Sequence, residues 1–146
     1  MRLTLYTDYS LRVLIFLASK PKEELSNIKE IADAYSISKN HLMKVVHQLT
    51  LKGYIESVRG KNGGLRLHRR PEDINIGVLV RETEQDMNLV ECFSSDNQCC
   101  ITPVCGLKNI LAEALRAFLN TLDQYTLADI LTERQKPQLL RLLQIA

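Results

Sequence analysis

The sequence predicts a mainly α-helical fold with a small β-hairpin wing: a winged helix-turn-helix followed by a long dimerisation helix. Three observations carry this. Two short segments with apolar residues at helical spacing are separated by a three-residue break. A basic, glycine-rich hairpin pattern follows them. Near the C-terminus, one helical pattern is apolar over a face too wide for so short a chain to cover.

At 146 residues, with 45% hydrophobic and 25% charged residues, the composition is that of a soluble globular protein. The expected division is a DNA-binding domain over 1–78 and, over 79–146, a cysteine loop (about 88–105), a dimerisation helix (about 103–124) and C-terminal helices. The longest apolar run, Val13 to Ala18, falls far short of the ~20 residues that span a bilayer. Met1-Arg2-Leu3-Thr4 is followed by neither the h-region nor the small-residue cleavage site of a signal peptide, so none is expected. A cytoplasmic location without membrane contact is expected.

Taken in order, Thr7 or Asp8 is the expected cap of a first helix running to about Ser19, buried because Leu11 to Ala18 is apolar almost all round. Ser26 or Asn27 opens a second, with Ile28, Ile31, Ala32 and Tyr35 on one face. Tyr35-Ser36-Ile37 breaks the chain, and Ser38 caps a third helix that turns Leu42, Val45, Val46 and Leu49 inward. Lys52-Gly53 closes it. Tyr54 to Val58 and Leu65 to His68 read as strands around Arg59-Gly60-Lys61-Asn62-Gly63-Gly64. Asn75 caps a helix to about Thr83. Thr102-Pro103 reads as the start of the long helix, which ends near Gln124. Thr126 caps a short helix, and 135–145 form a last one.

Charge follows this plan. Between Ser38 and Arg70 there are eight Lys or Arg and one acid, Glu56; between Pro71 and Glu91 there are six acids and one Arg. A block of +7 beside one of −5 marks a charged docking face. The third helix presents Ser38, Lys39, Asn40 and His41 where a helix-turn-helix meets base edges, with Met43, Lys44 and His47 on the same outer face. Lys favours guanine acceptors, Asn can pair with adenine, and Ser38 and Lys44 suit phosphates. Arg59 and Lys61 at the hairpin tip can reach backbone or minor groove. Double-stranded operator DNA is the partner this predicts. No Ser-His-Asp, HExxH or phosphate-loop pattern is present, so an enzyme is not expected.

All four cysteines, Cys92, Cys99, Cys100 and Cys105, lie within 14 residues of a polar stretch. In a cytoplasmic chain this points to metal or redox chemistry. Gaps of six, zero and four residues suit structural zinc poorly. A thiol redox switch, buried inert thiols and an iron–sulfur cluster are the other readings; several thiolates on a flexible loop favour the cluster. Cys105, in the first turn expected after Thr102-Pro103, would sit at the positive end of a helix.

Over nearly its whole length the chain resembles the IscR-like winged-helix repressors that carry an iron–sulfur cluster, and within them the nitric-oxide-sensing group. The resemblance rests on Tyr6-Thr7-Asp8-Tyr9-Ser10-Leu11-Arg12, Ser38-Lys39-Asn40-His41-Leu42, Arg59-Gly60-Lys61-Asn62-Gly63-Gly64, Asn88-Leu89-Val90-Glu91-Cys92 and Cys99-Cys100-Ile101-Thr102-Pro103-Val104-Cys105. It implies a homodimer, a cluster that is four-iron (4Fe–4S) or alternatively two-iron (2Fe–2S), and three thiolate ligands at Cys92, Cys99 and Cys105. Cys100 is the alternative middle ligand. Gly106-Leu107-Lys108-Asn109 lacks the histidine found there in IscR-like members. The resemblance instead points to Asp8 of the partner subunit as fourth ligand, against its reading as a simple helix cap. It further implies a repressor that releases its operator on meeting nitric oxide, freeing genes of nitric oxide detoxification and nitrate or nitrite respiration. A repressor that senses iron–sulfur status or thiol oxidation is the alternative.

Overall fold

Thr4 opens the first helix, α1 (Leu5–Ser19), by accepting from the Thr7 amide at 3.3 Å. Thr7 and Asp8, the expected caps, lie one turn inside it because both side chains are engaged elsewhere. The buried Thr7 hydroxyl donates to that of Thr83 at 2.9 Å, and the Asp8 carboxylate accepts two bonds from Arg12 at 2.9 Å. The computed structural model describes residues 1–145.

Asn27 caps α2 (Ile28–Tyr35), accepting from the Glu30 amide at 2.9 Å. Ser36 ends it in the left-handed region (φ 54°), which turns the chain sharply into α3 (Lys39–Leu51). Gly53 (φ 79°) ends α3 as its sequence position predicts. The hairpin is antiparallel, β1 (Ile55–Val58) against β2 (Gly64–Leu67), with Ile55 opposite Leu67 and Val58 opposite Gly64. Ser26 pairs with Leu65 on the outer edge, through bonds of 3.0 and 2.7 Å. Gly64 permits this: a Cβ there would lie 2.9 Å from the Ser26 carbonyl oxygen.

Asn75 caps α4 (Ile76–Thr83), as expected. The long helix α5 (Gly106–Leu122) begins later and ends sooner than the sequence predicts. Thr102-Pro103 opens only a 3₁₀ turn, Thr102–Val104, because the Thr102 hydroxyl donates back to the Cys99 carbonyl at 2.9 Å and accepts from the Asn97 side-chain Nδ2 at 2.8 Å. The chain then extends at Cys105, which becomes the residue preceding α5 rather than part of its first turn. The short α6 (Leu127–Ile130) carries a reciprocal Thr126–Asp129 capping box, and α7 (Lys136–Leu142) completes the order.

One core joins these elements. Val13 and Leu14 of α1, Ile31 of α2, Leu42 and Leu49 of α3 are wholly or almost wholly buried. Each such side chain contributes about 1.5–3 kcal/mol. Leu127 of α6 and Leu143, just past α7, enter the same core; the Ile76 amide donates to the Tyr125 carbonyl at 3.0 Å and the Leu127 amide to the Ile74 carbonyl at 2.9 Å, a bridge that ties this return to the start of α4. No described helix is long and apolar enough to cross a membrane.

Candidate functional site

With Leu42, Val45, Val46 and Leu49 buried, α3 leaves Lys39, Asn40, Met43, Lys44 and His47 exposed on one surface. Ser38 accepts from the His41 amide at 3.4 Å, so its oxygen holds the first turn while its own hydrogen stays free to donate. His41 differs from its neighbours. Its ring lies edge-on to Tyr9 at 4.8 Å and is half-buried, aimed at α1 rather than outward. The hairpin tip lifts Arg59 and Lys61 into solvent; among the described residues neither forms an ion pair. Gly63 keeps the tip tight, since a Cβ there would lie 2.0 Å from the Val58 carbonyl oxygen.

Glu56, the one acid of the basic segment, is neutralised locally. Arg66 hydrogen-bonds it across the hairpin and His68 lies 3.3 Å away. These partners, Arg66 first, hold its carboxyl below the usual range. The positive field of α3 and the wing is therefore not offset by a free carboxylate at the hairpin.

Two side-chain systems connect this surface to the rest of the chain. In the first, Arg12 chelates Asp8 and lies 5.6 Å from the Tyr9 ring centre and 5.8 Å from that of Tyr35. The Tyr35 hydroxyl donates to the Arg12 carbonyl at 2.9 Å, and burial pushes that hydroxyl's pKa up to about 12. Asp8, Arg12, Tyr9 and His41 thus form a continuous path into the first turn of α3. In the second, Tyr54 donates to Glu82 on α4 at 2.5 Å while Arg69 stacks 4.2 Å over its ring and donates to the Lys52 carbonyl at 2.8 Å. Burial, then the Glu82 bond, raises the Tyr54 pKa far above its ordinary value. Sequence reasoning missed this second system: an isolated Tyr, Arg and Glu at long separation leave no periodic signal.

The cysteine loop leaves α4 and returns at the N-terminus of α5. Cys92 sits half-buried in a 3₁₀ turn, Glu91–Phe93; Cys99 and Cys100 are exposed; Cys105 is half-buried beside α5. The polar residues of the loop fold it upon itself. The Gln98 amide donates to Glu91 at 3.2 Å and the Cys99 amide to Asn97 at 3.0 Å. All four thiols are free. Among the described residues no three His, Cys, Asp or Glu are gathered closely enough to hold a metal ion. The donor set nevertheless suits a soft, thiolate-seeking group: four free thiols, two exposed and two half-buried, on a loop with no regular element between its 3₁₀ turns. Asp8, half-exposed and bound to Arg12, is not part of this group in the single chain.

Beyond the loop, α5 half-buries Leu111, Leu115, Leu119 and Leu122 and exposes Leu107, Ile110, Ala114 and Phe118 along one stripe. Arg81 on α4 chelates Asp123 at the end of α5, and Asn75 donates to the Asp123 carbonyl at 2.8 Å, so this helix is fixed to the body at its far end.

The Rrf2 family model, described as an iron-dependent transcriptional regulator, matches residues 3–133. The HTH-type transcriptional regulator NsrR of Bacillus licheniformis is 63% identical over 132 residues, which is 90% of this chain and 92% of that one. The HTH-type transcriptional regulator NsrR of Bacillus subtilis is 59% identical over 146 residues, 99% of each. Among solved structures, IscR of T. potens superposes with a TM-score of 0.75 at 25% identity, covering 94% of this chain and 91% of that one.

Proposed function

Since the chain belongs to the Rrf2 family of iron-dependent transcriptional regulators, we propose that it is a dimeric repressor that reads operator DNA with α3 and the wing and senses nitric oxide through an iron–sulfur cluster on its cysteine loop. It is a DNA-binding transcriptional repressor and not an enzyme. Its place of action in this reading is the cytoplasm.

The observation that carries the sensing reading is the set of free thiols on a loop lying between α4 and α5. Cys92, Cys99 and Cys105 are the proposed thiolate ligands, with Cys100 in place of Cys99 as the alternative. Asp8 of the partner subunit is the proposed fourth ligand. When bound, a four-iron cluster supplies iron centres that react with nitric oxide. The chain's own residues convert that event into a change at the DNA. A ligand role for Asp8 would compete with the two bonds it accepts from Arg12. Arg12 contacts Tyr9, and Tyr9 contacts His41 in the first turn of α3. Return of Asp8 to Arg12 would therefore bear, through these contacts, on the placement of Ser38, Lys39, Asn40 and Lys44. Arg59 and Lys61 hold the backbone beside them. A shift that costs about 1.4 kcal/mol lowers affinity tenfold.

The exposed stripe of Leu107, Ile110, Ala114 and Phe118 supports a homodimer, because water-exposed apolar area of this regularity is ordinarily covered. Genes of nitric oxide detoxification and nitrate or nitrite respiration are the proposed targets.

A second reading has one observation in its favour. Cys99 and Cys100 are adjacent, exposed and free, as a thiol-oxidation switch would require. Iron and sulfide content of anaerobically purified protein separates the two. The cluster reading predicts stoichiometric iron that is lost in Cys92→Ser and Cys105→Ser and retained in one of Cys99→Ser and Cys100→Ser. Iron-free protein that oxidises at Cys99 or Cys100 and thereby releases DNA would replace it.

A further inference from the structure

The outer surface of α3 carries one group that phosphate and hydrogen-bond recognition leave unused. Met43 is 49% exposed, one turn beyond Lys39, among Asn40, Lys44 and His47. It is the one large apolar side chain exposed in the first three turns of that helix. A thioether has no charge for a phosphate and no donor for a base acceptor. The major groove offers only one apolar group, the thymine methyl, and an unbranched side chain with three rotatable bonds adapts readily to it. On the inward-facing side Leu42 is fully buried, so the core does not need Met43.

We propose that Met43 is a specificity-determining residue that seats against the methyl group of a thymine in the operator half-site. This rests on the reading of α3 as the major-groove helix and extends it to a base the polar residues do not select. Lys39 and Asn40 then contribute the hydrogen-bonded positions and Met43 the methyl-marked one, four residues along the helix from Lys39.

The test uses the full-length protein and a duplex selected by it from random-sequence DNA. Each thymine of the selected site is replaced in turn by deoxyuridine, which removes only the methyl. One thymine per half-site is expected to show a loss of about four-fold, the effect of one buried methyl. That loss should vanish in Met43→Ala and persist in Met43→Leu, a pattern that a role in helix stability alone would not produce. Deoxyuridine tolerated at every position, or an unchanged penalty in Met43→Ala, overturns the proposal while leaving α3 as the reading helix. Selection of no sequence above bulk DNA overturns the reading of α3 and the proposal with it.

Discussion

The hydroxyl of Tyr54 donates to the carboxylate of Glu82 at 2.5 Å, joining the segment just past α3 to the helix that leads into the cysteine loop. Tyr54 is 1% exposed and Arg69 covers its ring, so the ring is fixed by packing and the hydroxyl by this one bond. Tyr54→Phe keeps the packing and removes the bond. Because Glu82 lies in solvent and re-hydrates, the expected loss is about 1 kcal/mol, read from the urea midpoint. An unchanged midpoint would show that the bond adds nothing to the packing.

Asp8 and Arg12 form a bidentate pair that is about two-fifths exposed on both sides. Such pairs contribute under ~1 kcal/mol. Asp8→Ala should leave the stability of the iron-free protein nearly unchanged. If Asp8 of the partner subunit is the fourth ligand, the variant retains a cluster on its thiolates and loses much of the cluster's effect on DNA affinity. An unaltered response to nitric oxide would remove Asp8 from the account.

Gly77 is an expected weak point of the junction between α4 and α5. A Cβ there would lie 1.9 Å from the Asp123 carboxylate and 2.9 Å from the Asp123 backbone nitrogen. The carboxylate can swing away only by abandoning Arg81, and the backbone cannot follow without moving the end of α5. Gly77→Ala should cost about 1–3 kcal/mol, measured by thermal or urea unfolding. A neutral result would mean that α5 is not held through Asp123.

Acid should loosen the wing before it loosens the core. The Glu56 carboxyl is held below its ordinary pKa by Arg66 and then His68. A lowered folded pKa contributes stability above the unfolded value, and that contribution is lost as pH falls through the folded one. The protection of the β1–β2 amides, taken relative to their intrinsic exchange rates at each pH, should fall on acidification more in the native protein than in Glu56→Gln. Equal acid sensitivity in both would place the effect elsewhere.

How much of this was legible beforehand depended on whether the signal was local. Helical spacing marks the inward faces of α2 and α3; Ser38 and Asn75 cap the helices they precede, and of Ser26 and Asn27 it is Asn27 that caps α2. Where capping depends on tertiary partners, the local signal misled. Thr7 is buried against Thr83, 76 residues away, leaving the cap to Thr4. Thr102 bonds back to Cys99, so a strong start signal yields only a 3₁₀ turn and α5 begins at Gly106. His41 follows the same pattern: its position suggests an outward residue, and its ring packs on Tyr9 instead. The entry of Leu127 and Leu143 into the core had no sequence signature, because short apolar helices carry none that says where they dock. The cysteine loop was visible as composition, while its internal bonding from Glu91 to Thr102 was not.

Whether thiolate-bound iron on this loop governs operator affinity can be read from one paired measurement. The visible absorption of anaerobically purified protein is recorded during titration with nitric oxide, with binding to a selected operator followed in the same samples. A broad sulfur-to-iron charge-transfer absorption that bleaches in step with release of DNA is expected. A colourless protein that acquires no such absorption on reconstitution with iron and sulfide, yet binds and releases the same DNA, would contradict it.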